Sequence, residues 1–364
     1  MPGDMVETVR MDDEIRARRA ACTDSFLGNG LIRPADLLAA IGSDVEPDVY
    51  GEGGVVRVLE HHIADLLGKP AAVFLPSGTM AQAATLRVHA EQRSRRTVCW
   101  HPYCHLPRHE GGGYARLHGL IGREVGEPDR VIESRDLGRV AEPPAALVLE
   151  LPQRDLGGML PDWDDLVAQT TWARENGAAA HLDGARLWEA TAGYGKPPSV
   201  IAELFDTVYV SFYKGVGALP GCCVAGTTDV VAQVREWRSR MGGTLHAMWP
   251  AAGSALTLLP GALAEMPVRM AHAQAIAAAL ATTPGVRVVP DPPQTPMMNV
   301  LFETTADRFA AHAERLAVKD GLWVWPRPVE TGVPGVVRAE LAVGRGTLSH
   351  TPDFVASTLG MLAG

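Results

Sequence analysis

His181-Leu182-Asp183-Gly184-Ala185-Arg186 follows the apolar run Ala178-Ala179-Ala180, and Ser211-Phe212-Tyr213-Lys214-Gly215 continues the β-rich run Thr207-Val208-Tyr209-Val210. Each reads as a buried strand that ends in reactive chemistry, an acid and an arginine in one case and a lysine in the other. About 30 residues separate Asp183 from Lys214, the length of one strand–loop–strand unit. In an open α/β sheet, groups just past the carboxyl ends of strands face a common crevice. The two side chains are therefore expected to meet one ligand.

The chemistry that asks for this pair is that of pyridoxal 5′-phosphate. A lysine amine condenses with its aldehyde. A carboxylate beside the pyridine nitrogen keeps that nitrogen protonated, so the ring draws electrons from a bond broken at Cα. The charge pair should lower the pKa of the acid. Taken singly, each residue has a plainer account: an Asp after a strand is commonly a cap or turn residue, and a Lys before glycines is commonly solvated. Upstream, Ala71 to Leu75 reads as a short buried strand, and Pro76-Ser77-Gly78-Thr79 opens a helix that runs to about Gln92. Backbone N–H groups at such a helix start make an anion site, so Ser77, Gly78 and Thr79 are expected to cradle the phosphate. A Ser-capped helix without a ligand is the competing account. Ser211, three residues before Lys214, is expected to offer the cofactor a hydroxyl.

His181 to Arg186, Ser211 to Gly215 and Pro76-Ser77-Gly78-Thr79-Met80 resemble the signature segments of low-specificity threonine aldolases, members of the β-eliminating lyase group of fold-type-I pyridoxal-phosphate enzymes. The similarity runs from about Val49 to Arg345 in consistent order. It implies an α/β fold, with a mostly parallel seven-stranded sheet, helices on both faces and a smaller C-terminal α/β domain. The boundaries read as an N-terminal arm over 1–46 packed on the small domain, a large cofactor domain over 47–250 and a small domain over 251–364. The implied reaction cleaves a β-hydroxy-α-amino acid to glycine and an aldehyde, in a homodimer or homotetramer with shared active sites.

The resemblance also distributes roles. His105 is the histidine that stacks on the pyridine face, and Arg186 and Arg338 hold the substrate carboxylate. Thr23-Asp24-Ser25 sits where the family carries a Ser-Asp pair that reaches the substrate, although a plain helix cap fits Thr23 as well. Two positions depart from the pattern. Gln153 stands where a substrate-touching histidine is usual, and it can hydrogen-bond but cannot act as a base. His246 ends a glycine-rich loop that usually ends in an arginine directed at the neighbouring subunit's phosphate. Carbon–carbon cleavage of threonine itself is the expectation these departures weaken most. β-Elimination, or aldol-type bond formation on another amino acid, stays open beside it.

Composition bounds the rest. Of 364 residues 46% are hydrophobic and 21% charged, an ordinary globular balance with room for a major and a minor domain. A net charge of −9 leaves no basic footprint for nucleic acid, so anions must be held by a few placed cations and helix starts. Five cysteines, Cys22, Cys99, Cys104, Cys222 and Cys223, with two adjacent in an apolar segment, suggest reduced thiols and a cytoplasmic address. No signal-peptide core and no run of 18 apolar residues is present. His101, Cys104 and His105 are potential metal ligands, but no second cluster completes a site, so no metal is expected. A nicotinamide-binding protein would need a G-x-G-x-x-G turn, which the Ser77-Gly78-Thr79 turn lacks. A catalytically silent member of the fold remains a third account, against which Lys214 stands.

Overall fold

The computed structural model describes residues 13–39, 41–42 and 44–364, so the first twelve residues of the expected arm lie outside the described residues. The chain divides into two units. One comprises Pro34–Pro152 and Leu160–Leu263, the other 13–33, Gln153–Met159 and Ala264–Gly364. The sequence boundaries, 46/47 and 250/251, differ from these for local reasons. In the first unit Val55 N donates to Glu46 O at 2.9 Å, and Ile41 and Val45 close on Gly253. In the second, Thr295 Oγ1 donates to Gly158 O at 3.0 Å, and a Cβ on Gly157 would collide with Val289 O.

The first unit is built on seven strands: β1 (Ala71–Leu75), β2 (Thr97–Trp100), β3 (Ile121–Glu124), β4 (Ala146–Glu150), β5 (Ala179–Gly184), β6 (Thr207–Ser211) and β7 (Cys222–Gly226). Their order is β1-β7-β6-β5-β4-β2-β3, and every pairing is parallel except the two that β7 makes. β1, β5, β6 and β7 are buried on both faces almost throughout, as a sheet covered by helices requires. The second unit holds β8 (Val286–Val289), β9 (Met297–Phe302), β10 (Val329–Glu330) and β11 (Val337–Ala342), antiparallel in the order β10-β11-β9-β8. Val300, Phe302, Phe309 and Leu341 anchor its core. The expected α/β fold, a large mostly parallel seven-stranded sheet with a smaller C-terminal domain, is the one observed.

Four helices matter below: α1 (Gly54–Leu67), α2 (Gly78–Arg93), α3 (Leu187–Tyr194) and α4 (Trp249–Leu280). On α1 the helical spacing of Val58, Leu59, His62, Ile63, Leu66 and Leu67 predicts a core face. Leu59, Ile63 and Leu67 are buried, whereas Val58 and His62 are exposed; Val55, Val56, Glu60 and Ala64 complete the buried face. Glu60 can be buried because Phe74 N and Arg235 Nη2 donate to its carboxylate at 2.8 and 2.7 Å. The alanine-rich pattern predicts a helix over Met270 to Ala281, and α4 begins some twenty residues before Met270. Pro260 and Pro267, which ordinarily end a helix, lie on its exposed side.

Candidate active site

The carboxyl ends of β1, β2, β5 and β6 surround a cavity of about 260 Å³. Six expected site residues line it: Ser77, Gly78, Thr79, His105, Asp183 and Lys214. Four that sequence reasoning did not assign join them: Gln82, Glu110, Tyr209 and Tyr213.

Asp183 ends β5, 3% exposed, and accepts from Ala185 N at 3.1 Å. Burial pushes its carboxyl above the ordinary range, while Lys214, the Ala185 N–H, Arg186 and Gln82 favour the charged form. The charge pair was expected to lower this pKa. That expectation concerns the pair with a protonated ring nitrogen; without it, burial inside the sheet sets the direction.

At the start of α2, the N-cap Ser77 makes no side-chain capping bond, so the first-turn N–H groups are not covered from within. Gly78 is needed there, since a Cβ would collide with the Tyr209 hydroxyl, which reaches the cradle from β6. Gly215 has a similar constraint against the Glu189 carboxylate. Small residues, N–H groups and hydroxyls at a helix start suit a phosphate dianion.

His105 opens a short helix after β2 and is partly exposed, with Nε2 3.8 Å from Glu110 Oε1. Glu110's side chain is only 2% exposed. Its carboxyl is pushed up to about 7, first by burial and then by Asp183, with Thr79 and Lys214 opposing. The sequence marked Glu110 only by position, since neither its burial nor its nearness to Asp183 is written in the local pattern.

Other expected residues fall elsewhere. Arg186 caps α3, half-buried, and favours the charged forms of Asp183 and Tyr213 without lining the cavity. Ser211 is fully buried and does not line it either. His246 lies exposed against the Tyr50 ring, with centroids 5.1 Å apart, and its carbonyl accepts from Tyr50 N at 2.9 Å.

Thr23, Gln153 and Arg338 belong to the second unit. Thr23 is exposed and pairs through its backbone with Gly321 O at 2.9 Å. Gln153, 4% exposed, starts a tight loop in which Gly158 N donates to its carbonyl at 3.1 Å. Arg338 Nη1 donates to Asp155 O of that loop at 2.9 Å, and Asn299 Nδ2 reaches the same oxygen at 3.2 Å.

His101 is a structural residue: its Nε2 lies 3.0 and 2.9 Å from the Glu127 and Arg130 carbonyls, and its Nδ1 accepts from Tyr103 N. Among the described residues, no three His, Cys, Asp or Glu side chains converge as metal ligands. All five cysteines are buried and free. No described helix is long and apolar enough to cross a membrane.

An amine, a buried carboxylate, an uncapped helix start and a flat histidine ring around one cavity form the donor set that pyridoxal 5′-phosphate requires. A family model described as beta-eliminating lyase matches residues 34–303. Low-specificity L-threonine aldolase 1 of Arabidopsis thaliana is 28% identical over 298 residues, 78% of this chain and 82% of that one. A candidate L-allo-threonine aldolase from Listeria monocytogenes superposes with a TM-score of 0.88 at 34% identity, covering 96% of each chain. A candidate aromatic amino acid beta-eliminating lyase/threonine aldolase from Exiguobacterium gives 0.89 at 32% identity, covering 96% of this chain and 98% of that one.

Proposed function

The chain belongs to the beta-eliminating lyase family, and on that premise we propose that it is a pyridoxal-phosphate-dependent carbon–carbon lyase that cleaves a threonine-like β-hydroxy-α-amino acid to glycine and an aldehyde. The observation that carries this reading is the meeting of Lys214 and Asp183 at one cavity with the Ser77-Gly78-Thr79 helix start. When bound, the cofactor supplies an electron sink for the bond broken at Cα.

The chain's own residues do the rest. Lys214 holds the cofactor aldehyde, and Asp183 meets the ring nitrogen. Ser77, Gly78 and Thr79 bind the phosphate through the start of α2, with the Tyr209 hydroxyl beside them. His105 covers the ring face, with Glu110 behind it as a carboxyl that gains or loses a proton near neutrality. Arg186 offers a fork for the substrate carboxylate. The roles of Thr23, Gln153, Arg338 and His246 rest on the resemblance, that of Ser211 on its place three residues before Lys214, and all stand as proposals, as does the division into arm, large domain and small domain. The buried free thiols support a cytoplasmic address. The exposed apolar residues Val49, Tyr50, Val58 and Leu245 support a homo-oligomer.

The test is direct. Purified protein with pyridoxal 5′-phosphate should absorb near about 420 nm, as a lysine-linked form of this cofactor does. Borohydride should fix the label on the Lys214 peptide, and Lys214→Ala should remove both. With L-threonine or L-allo-threonine the products should be glycine and acetaldehyde. Ammonia and a 2-oxo acid instead would replace this reading with β-elimination, which buried Gln153 in place of a histidine leaves open.

A further inference from the structure

From Gln82 in the cavity lining runs a line of buried polar side chains that the proposed reaction does not use. His181 is fully buried and Gln82, His89 and Thr207 are 2%, 1% and 0% exposed. His181 Nε2 is 2.6 Å from Gln82 Oε1, and its Nδ1 is 2.8 Å from Thr207 Oγ1. The same Thr207 oxygen is 2.8 Å from His89 Nε2, and His89 Nδ1 is 3.4 Å from Arg93 Nη1. Gln82, His89 and Arg93 share α2, the helix that starts at the phosphate cradle. His181 and Thr207 face each other in register on β5 and β6.

The donors and acceptors leave one consistent direction. A guanidinium only donates, so His89 Nδ1 accepts and its Nε2 carries the hydrogen. Thr207 accepts that hydrogen and has a single one to give, which goes to His181 Nδ1. His181 is neutral, held at about 3 by burial, so its Nε2–H donates to the Gln82 carbonyl. Gln82's amide nitrogen is then the group left to donate, and Gln82 and Asp183 line the same cavity, with Gln82 favouring the charged form of the acid. That nitrogen has no protein partner of good hydrogen-bond geometry. The reverse orientation would point the Gln82 carbonyl at a carboxylate and leave the Thr207 hydrogen without an acceptor. Both ends of the chain therefore agree on its sense.

We infer that Arg93, His89, Thr207, His181 and Gln82 form a one-way hydrogen-bond relay whose last donor holds Asp183 ionised and aimed at the ring nitrogen of the cofactor. Gln82 and Thr207 are thus positioning residues, and the inference rests on the cofactor reading above. It is tested on holoenzyme loaded with pyridoxal 5′-phosphate labelled at the ring nitrogen and read by nitrogen NMR. In the wild type the resonance should lie at the protonated position. Thr207→Val, equal in size but without the hydroxyl, should move it toward the unprotonated position. The dissociation constant should rise about tenfold, the loss of roughly one charge-assisted hydrogen bond. Thr207→Ser should restore both, which a merely structural role would not predict. Gln82→Leu cuts the last link without touching Thr207 and should give the same shift if Thr207→Val fails to fold. Bound cofactor with an unmoved resonance in either folded variant overturns the relay alone. A wild-type protein that binds no cofactor overturns the functional reading, and the relay with it.

Discussion

Glu110 carries opposed demands in a single carboxyl. Its pKa is raised from 4.5 to about 7, because burial and the neighbouring Asp183 both disfavour the charge. A carboxyl whose pKa rises on folding binds its proton more tightly in the native chain than in the unfolded one. Its burial is therefore tolerated below about pH 4.5, stability is lost progressively as pH rises from there to about 7, and the loss is constant above that. Glu110→Gln keeps the shape and removes the charge. In cofactor-free protein it should leave stability unchanged near pH 4.5 and raise it by about 1 to 3 kcal/mol at pH 8, as read by urea denaturation. Loaded with cofactor, the same variant should lose activity at least about tenfold, since the group beside His105 could no longer take or give a proton. Equal effects on stability at both pH values would show that the carboxyl is not perturbed. This residue was hard to foresee, because a lone glutamate before Gly111-Gly112-Gly113 has no periodic partner. Asp183 and Lys214 were legible because each follows a run of apolar residues that can only be a covered strand. Gln82 and His89 had a signal that went unused: polar residues seven apart on an otherwise buried helix face.

At the scale of elements, α4 shows how packing overrides a local rule. Its buried positions Ala252, Ala255, Leu259, Ala262, Met266, Arg269, Ala273, Ile276 and Leu280 alternate in steps of three and four. That spacing draws one continuous stripe along the helix. Arg269 can lie within it because Glu265 pairs with it at 2.6 Å and Asn29 Oδ1 accepts from it at 3.3 Å. Pro260 and Pro267 fall off the stripe, on the solvent side, where the missing N–H leaves a carbonyl that water can reach. The stripe was there to be read in the sequence, but the alanine-rich pattern was followed only over Met270 to Ala281, and a periodicity count across the prolines would have extended it. Neighbouring substitutions should thus have opposite signs. Leu259→Ala should destabilise by about 2 to 5 kcal/mol through a cavity. Pro260→Ala should stabilise by about 1 to 3 kcal/mol by restoring a helical residue and its hydrogen bond. Thermal midpoints of the two variants check this, and a loss in both would mean that Pro260 is held for packing.

At the scale of the whole molecule, the loop Val49-Tyr50-Gly51-Glu52 combines backbone strain with exposed apolar side chains. Tyr50 has φ 54°, in the left-handed region that costs a non-glycine residue about 1 to 2 kcal/mol. Its ring is nevertheless 55% exposed, beside Val49 at 57% and Leu245 at 47%. Gly51 fixes the turn, since a Cβ there would strike Met248 and Arg238. Val58 on α1 is 57% exposed, on the same side of the helix as the exposed His61 and His62. Its sequence reading as core followed from hydrophobicity, which does not distinguish a side chain covered by its own chain from one covered by another. A second copy over this face would bury the apolar side chains and offset the strain at Tyr50. Val58→Asp and Tyr50→Asp should therefore lower the mass measured by light scattering to that of one chain while the circular dichroism spectrum stays native. If the active site is completed across that contact, the same variants should also lose at least about tenfold in turnover, with the loss partly reversed at high protein concentration. A mass that stays put in both variants would remove this face from the assembly and leave the strain at Tyr50 to be explained within a single chain.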